Sequence, residues 1–313
     1  MLDVADAKAS SESFTVIFAA WAFVVVVAWA APAVDLALLD KKRWKRVPLW
    51  HVFLYWCAAS AVGVLLSWVL RTTVIEAYRI PGGSMLPTLQ ARDHIFVDKI
   101  SYGPLLPFSA IRLFSSLPPA RGELVVFEYP YASLDQRRQD LVKRVIAVEG
   151  DTLELQAGRP IINGRRVPSC SLGAHELDDG EGRLSGELEL EFIGSISYLV
   201  WFEQGASTER EGPYRVAPGE VWVLGDNRHN SSDSRAWNSR RGAGVPHDAI
   251  KGRVSSVWLS FDGGGRVAWD RVGVDLAGEP RLPENSSPQV VARFEECLSQ
   301  RPAHPNPQAG TSD

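Results

Sequence analysis

Gly225-Asp226-Asn227-Arg228-His229-Asn230-Ser231-Ser232-Asp233-Ser234-Arg235 decides how the rest of the chain is read. Asp226, Asn227 and Asn230 are good turn formers, because their short polar side chains bond nearby backbone and tolerate unusual dihedrals. The Val-rich run Glu220–Leu224 directly before them reads as a strand. A dense set of charges and hydroxyls therefore sits at the end of a strand, where buried polar groups need partners.

Two further stretches lie upstream in a fixed order. Gly82-Gly83-Ser84-Met85-Leu86-Pro87-Thr88-Leu89 sets a serine after two glycines, and Lys143-Arg144-Val145-Ile146-Ala147-Val148-Glu149-Gly150-Asp151 sets a lysine in an apolar strand. One short motif occurs by accident far more easily than several in order. Together with Asp93–Lys99 and Val257–Asp262, these stretches resemble the conserved boxes of type I signal peptidases. Those are membrane-bound serine proteases in which a lysine is the general base. The resemblance covers roughly residues 71–275 plus the membrane anchor.

The resemblance implies Ser84 as nucleophile, its backbone N–H as an oxyanion donor and Lys143 as base, with Arg144 the family's adjacent arginine. It also implies that the Ser231 hydroxyl bonds and orients the lysine, and that Asp233 and Arg235 form an ion pair fixing the loop. One branch of the family has a serine two positions before the nucleophile that adds a hydroxyl donor. This chain has Gly82 there.

The chemistry asks for such a base. A serine hydroxyl is too weakly acidic to attack an amide unaided, and lysine serves only if burial brings its pKa down from about 10.4. In an extended strand Leu141, Lys143, Val145 and Ala147 share one face, and Val142, Arg144, Ile146 and Val148 the other. Periodicity alone leaves open which of the two basic residues is buried, or whether both are exposed, as lysine usually is. Lys99 is the rival lysine, but it follows the nucleophile box where the family has no catalytic residue. A histidine triad would draw on His94, His175, His229 or His247, yet no Gly-x-Ser-x-Gly elbow is present.

The N-terminal part has its own physics. Phe14–Val34 and Val47–Leu70 lack Asp, Glu, Lys and Arg, and each reaches the roughly 20 apolar residues that span a bilayer. The head 1–13 is acidic, whereas Lys41, Lys42, Arg43, Lys45 and Arg46 crowd the loop 35–46, which the positive-inside rule keeps in the cytoplasm. Two transmembrane helices at 14–34 and 47–70 then put both termini outside. Signal peptides begin with a basic segment and have a shorter apolar core, so the first run does not read as one.

The exported part reads as mainly β, with strands Glu123–Tyr129, Leu141–Val148, Thr152–Gln156, Tyr198–Glu203, Glu220–Leu224 and Ser255–Phe261 between turn residues. Asn163-Gly164 predicts a tight hairpin. The expected architecture is a signal-peptidase-like β catalytic core in two parts, 71–151 and 219–275. An inserted β subdomain fills 152–218, and a Pro-, Ser-, Gln- and Asn-rich extension follows at 276–313, disordered over its last dozen residues.

The formal charge of -4 argues against a nucleic-acid role. Neither a metal nor a cofactor is expected: the six histidines are scattered without zinc-type spacing. Cys57 falls in the second span, leaving Cys170 and Cys297, which an oxidising compartment would permit to bridge. The expected partners are membrane lipid and signal peptides of exported preproteins, which end in small residues in an Ala-x-Ala-like pattern. Tyr78, Ile80, Pro81, Met85, Leu89 and Val142 neighbour the boxes and are candidate pocket walls, with core packing the equal alternative. Ser84 follows Leu70 by 14 residues, a reach of at most about 45–50 Å, so the site stays near the outer face of the plasma membrane, the periplasmic side. Two rival functions remain open: a serine-lysine peptidase dedicated to a conjugation or secretion system, and a non-catalytic membrane-anchored binding protein on the same fold.

Overall fold

The computed structural model describes residues 49–103, 117–131, 139–178, 182–205 and 209–302. The first predicted span, the basic loop and all but the first of the C-terminal dozen lie outside these residues. The second predicted span falls on α1 (Leu49–Thr73), which exposes Trp50, Phe53, Leu54, Val62, Val64 and Leu65. Among the described residues no helix is long and apolar enough to cross a membrane.

The rest is mainly β, as the strand pattern predicted. In chain order the strands are β1 (Ile75–Arg79), β2 (Asp93–Asp98), β3 (Leu124–Glu128), β4 (Asp140–Val148), β5 (Thr152–Gln156), β6 (Arg159–Ile162) and β7 (Arg165–Arg166). There follow β8 (Ser169–Asp178), β9 (Arg183–Ile193), β10 (Ile196–Glu203), β11 (Arg210–Arg215), β12 (Glu220–Leu224), β13 (Val245–Pro246) and β14 (Ile250–Ser260). A seven-stranded antiparallel sheet runs β1-β2-β14-β3-β4-β12-β13. The residues between β4 and β12 form two smaller sheets, β11-β5-β6-β7 and β10-β9-β8.

Burial follows from position in the sheet. β2 alternates buried and half-buried residues, the period of a strand with one covered face. β4, with neighbours on both sides, is buried from Leu141 to Ala147. The predicted hairpin forms, with β6 and β7 joined at Asn163-Gly164, both at positive φ. β14 begins five residues ahead of the Val-rich stretch expected, because Lys251 and Arg253 mask the buried alternation of Ile250, Gly252 and Val254. Its Gly252 is required by packing: a Cβ there would meet Val97 and lie 2.6 Å from Asp98 O.

β8 and the glutamate-rich β9 were not anticipated. In β9, Leu188 and Leu190 are buried between Glu187, Glu189 and Glu191, and the last two are buried with them. The C-terminal extension also holds order that composition hid. Helix α2 (Pro288–Ser299) starts at Ser287, whose hydroxyl accepts from Val290 N–H, with proline in its first turn. Val290 and Cys297 pack with Leu86, Leu172, Leu190, Leu199 and Trp201. A disulfide joins Cys170 of β8 to Cys297, 127 residues apart in sequence.

Candidate active site

The turn between β1 and β2 carries Ser84. Met85, Leu86 and Leu89 are buried at 1, 1 and 0 % exposure, so they anchor the turn and leave Ser84 half-buried at its edge. Lys143 projects from the central strand β4 and is 1 % exposed. Its Nζ donates to Ser84 Oγ across 2.6 Å. Asn227 N–H donates to Ser84 O at 3.2 Å.

Both basic neighbours on β4 are buried, the outcome that alternation could not select. Arg144 makes a two-pronged ion pair with Asp226, 2.8 and 2.6 Å, and donates to Gly122 O at 2.7 Å. Asp226 Oδ2 also accepts from Thr88 Oγ1 at 2.6 Å, and the Arg144 guanidinium lies 4.1 Å from the Tyr198 ring centroid. The pair therefore ties β4 to the 225–235 loop and to the turn that presents Ser84.

The loop is clamped at three more points. Arg228, 0 % exposed, bonds both oxygens of Glu191 at 2.7 and 2.5 Å, and Tyr198 donates to the same carboxylate at 2.8 Å. Burial, then Glu191, pushes the Tyr198 hydroxyl up. Asp233 pairs with Arg235 through two contacts of 2.8 Å and accepts Gly225 N–H at 3.0 Å. Burial acts to raise the Asp233 carboxyl, but the Arg235 charge and these hydrogen bonds outweigh it and hold it below the usual range. Gly225 is a glycine for a steric reason: a Cβ would meet Ser231 and lie 2.5 Å from Ser84 O.

Ser231 departs from expectation. Among the described residues its buried Oγ does not bond Lys143; the hydroxyl instead lies beside the Asp233 carboxylate and helps hold that carboxyl low. The physical reason is placement: Lys143 Nζ is directed at Ser84 Oγ, and Ser231 sits against Gly225. Of the candidate pocket walls, Tyr78, Ile80, Met85, Leu89 and Val142 are buried in one core cluster with Leu124, Val126 and Val257, whereas Pro81 is exposed. Tyr78 OH bonds Glu76 at 3.0 Å. Lys99 pairs with Glu76 at 2.5 Å. His94 packs edge-on against Trp258 and Phe261, and His229 against Phe202.

The sequence reading missed Asn227, Thr88, the Arg144–Asp226 pair and Glu191 as parts of the site. One signal was present: an arginine in an apolar strand demands a carboxylate, and Asp226 stands first among the acids of the 225–235 loop.

The model of the signal peptidase family, peptidase S26, matches residues 53–259. Signal peptidase I of Pseudomonas fluorescens is 34 % identical over 201 residues, covering 62 % of this chain and 68 % of that protein. Signal peptidase I of Pseudomonas aeruginosa is 33 % identical over 203 residues, with 62 and 68 % covered. That of Leptolyngbya laminosa is 34 % identical over 197 residues, with 62 and 73 % covered. The matched segment includes the Ser84 turn, β4 and the 225–235 loop, and the chain belongs to the signal peptidase family, peptidase S26, as a hydrolase of that family.

Proposed function

We propose that this protein is a membrane-anchored serine endopeptidase that removes signal peptides from exported preproteins, cutting after small residues in an Ala-x-Ala-like pattern. Ser84 is the nucleophile and Lys143 the general base. The observation that carries this reading is the 2.6 Å contact between Lys143 Nζ and Ser84 Oγ, made by a lysine that is 1 % exposed. Burial disfavours the ammonium form, so a neutral amine is available to take the hydroxyl proton as Oγ attacks the scissile carbonyl. The amine returns that proton to the leaving amine, and water then repeats the cycle on the acyl-enzyme. The Ser84 N–H faces the developing oxyanion. Asp233 and Arg235 fix the loop around Gly225.

The anchor belongs to the same proposal. Residues 14–34 and 47–70 cross the plasma membrane with the loop 35–46 in the cytoplasm and the β domain on the periplasmic side. The proposal rests on the sequence: both runs lack Asp, Glu, Lys and Arg and reach the roughly 20 apolar residues that span a bilayer. Single cysteines at 43 and 90, in a background without native cysteines, report the topology: only position 90 is labelled by an impermeant reagent from the periplasm.

The test of the chemistry uses the full chain in detergent with an Ala-x-Ala presequence. Ser84→Ala and Lys143→Ala each abolish cleavage, and Lys143→Arg fails too because arginine does not deprotonate. Retained turnover in either alanine variant rejects the assignment.

A further inference from the structure

Asn227 grips the turn that presents Ser84 at two consecutive carbonyls. Its Nδ2 donates to Gly83 O at 3.0 Å, and its N–H donates to Ser84 O at 3.2 Å. The first of these contacts fixes more than a carbonyl. A trans peptide is planar, with C=O and N–H directed oppositely. Holding Gly83 O toward Asn227 therefore points the Ser84 N–H away from Asn227. That N–H has no acceptor among the described residues, and it is the proposed oxyanion donor.

The turn needs such a hold. Gly82-Gly83 precedes the serine, and glycine leaves backbone rotation nearly unrestricted. Gly83 O also accepts Leu86 N–H at 3.1 Å, which closes the turn on one side only. With glycine at 82 there is no hydroxyl to share the oxyanion's charge, so the orientation of the Ser84 N–H matters more.

Asn227 is itself rigid. It is 0 % exposed and bridges Trp201 of β10, whose N–H donates to Asp226 O at 2.9 Å and whose carbonyl accepts Arg228 N–H at 3.0 Å. The orientation of its amide is fixed by chemistry, since the flipped form would set Oδ1 against the Gly83 carbonyl. Oδ1 is left buried without a partner, which is the sign of a side chain placed for its donor.

We propose that Asn227 is the positioning residue of the oxyanion hole: it touches no reacting atom but orients the Gly83–Ser84 peptide so that the Ser84 N–H meets the developing charge. The inference rests on the proposed roles of Ser84. Loss of a whole oxyanion donor costs about 10²–10³ in kcat, and a donor freed to rotate retains part of its effect. Asn227→Ala is thus expected to lower kcat about 10–100-fold while KM stays within about twofold.

The full chain in detergent is assayed with a presequence substrate. A presequence peptide ending in an aldehyde, which forms a tetrahedral adduct with the serine, should bind Asn227→Ala more weakly by the same factor as kcat falls. The matching peptide ending in an unreactive amide should bind unchanged, and the acidic limb of the pH–rate profile should not move, because Lys143 keeps its contact. Asn227→Asp, equal in size but lacking the Nδ2 donor, should lose as much, and serves alone if the alanine variant does not fold. A wild-type kcat in these variants, or equal weakening of both peptides, overturns the positioning role. Ser84→Ala in the same assay separates the two claims. If it is inactive while Asn227→Ala keeps wild-type kcat, only the role of Asn227 falls; if Ser84→Ala turns over, the nucleophile assignment falls first.

Discussion

Arg144 and Asp226, 82 residues apart in sequence, meet as a two-pronged ion pair whose side chains are 3 and 1 % exposed. A guanidinium and a carboxylate removed from water are tolerable only together, because either one alone is an uncompensated buried charge. The pair sits one residue from Lys143 and one from Asn227, so the strand with the base and the loop beside the nucleophile are locked in register.

Removing one partner should therefore be costly to the fold. Asp226→Ala is expected to lower the unfolding free energy by about 3–5 kcal/mol, which leaves Arg144 charged and unpaired. Urea titration of the full chain in detergent measures it. A loss below about 1 kcal/mol, the level of an exposed pair, would contradict the role given to this contact.

Acid should act through Asp233. Its folded carboxyl is held below the ordinary value, with burial opposed and outweighed by Arg235 and the Gly225 N–H. The unfolded chain then binds the proton more readily, so the stabilisation is present above the unfolded pKa of about 3.9 and is lost as pH falls through the folded pKa. Wild type should lose stability as pH falls below about 4 faster than Asp233→Asn, which carries no such proton linkage. Parallel slopes of melting temperature against pH would reject it.

The disulfide between Cys170 and Cys297 closes a loop with a sequence separation of 127 and holds α2 against β8. Cys297→Ala should destabilise the domain by about 2–5 kcal/mol, chiefly by releasing the unfolded chain. Thermal unfolding of the oxidised protein and the variant measures the difference. Equal midpoints, or two free thiols in the purified protein, would show that the bridge contributes nothing.

What the sequence disclosed follows from what is local. Thr152–Gln156 and Glu220–Leu224 were legible to the residue because each is a short strand pattern closed by turn residues, the first a polar–apolar alternation and the second a Val-rich run. The Asn163-Gly164 hairpin was legible because two residues suffice to set it. Ser84 and Lys143 could be named from their boxes, and they do meet. The contacts of Arg144 with Asp226, Arg228 with Glu191 and Asn227 with Gly83 bring together chain segments far apart, and no periodicity encodes which charge answers which. Glu189 and Glu191 are buried, answered by Arg159 and Arg228 from other strands and loops, a pairing that a strand's own alternation does not encode. Ser231 shows the opposite failure: the resemblance supplied a partner that the packing does not provide.

The central claim is that Lys143, and no histidine, activates Ser84, and the dependence of presequence cleavage on pH tests it most directly. A base must be unprotonated to act, so kcat/KM should fall on the acidic side, with an apparent pKa well below about 10.4 because Lys143 is buried. That limb should persist unchanged in His94→Gln and His229→Gln, while Lys143→Ala is inactive at every pH. An acidic limb that disappears when either histidine is replaced, or turnover by Lys143→Ala, would contradict the account.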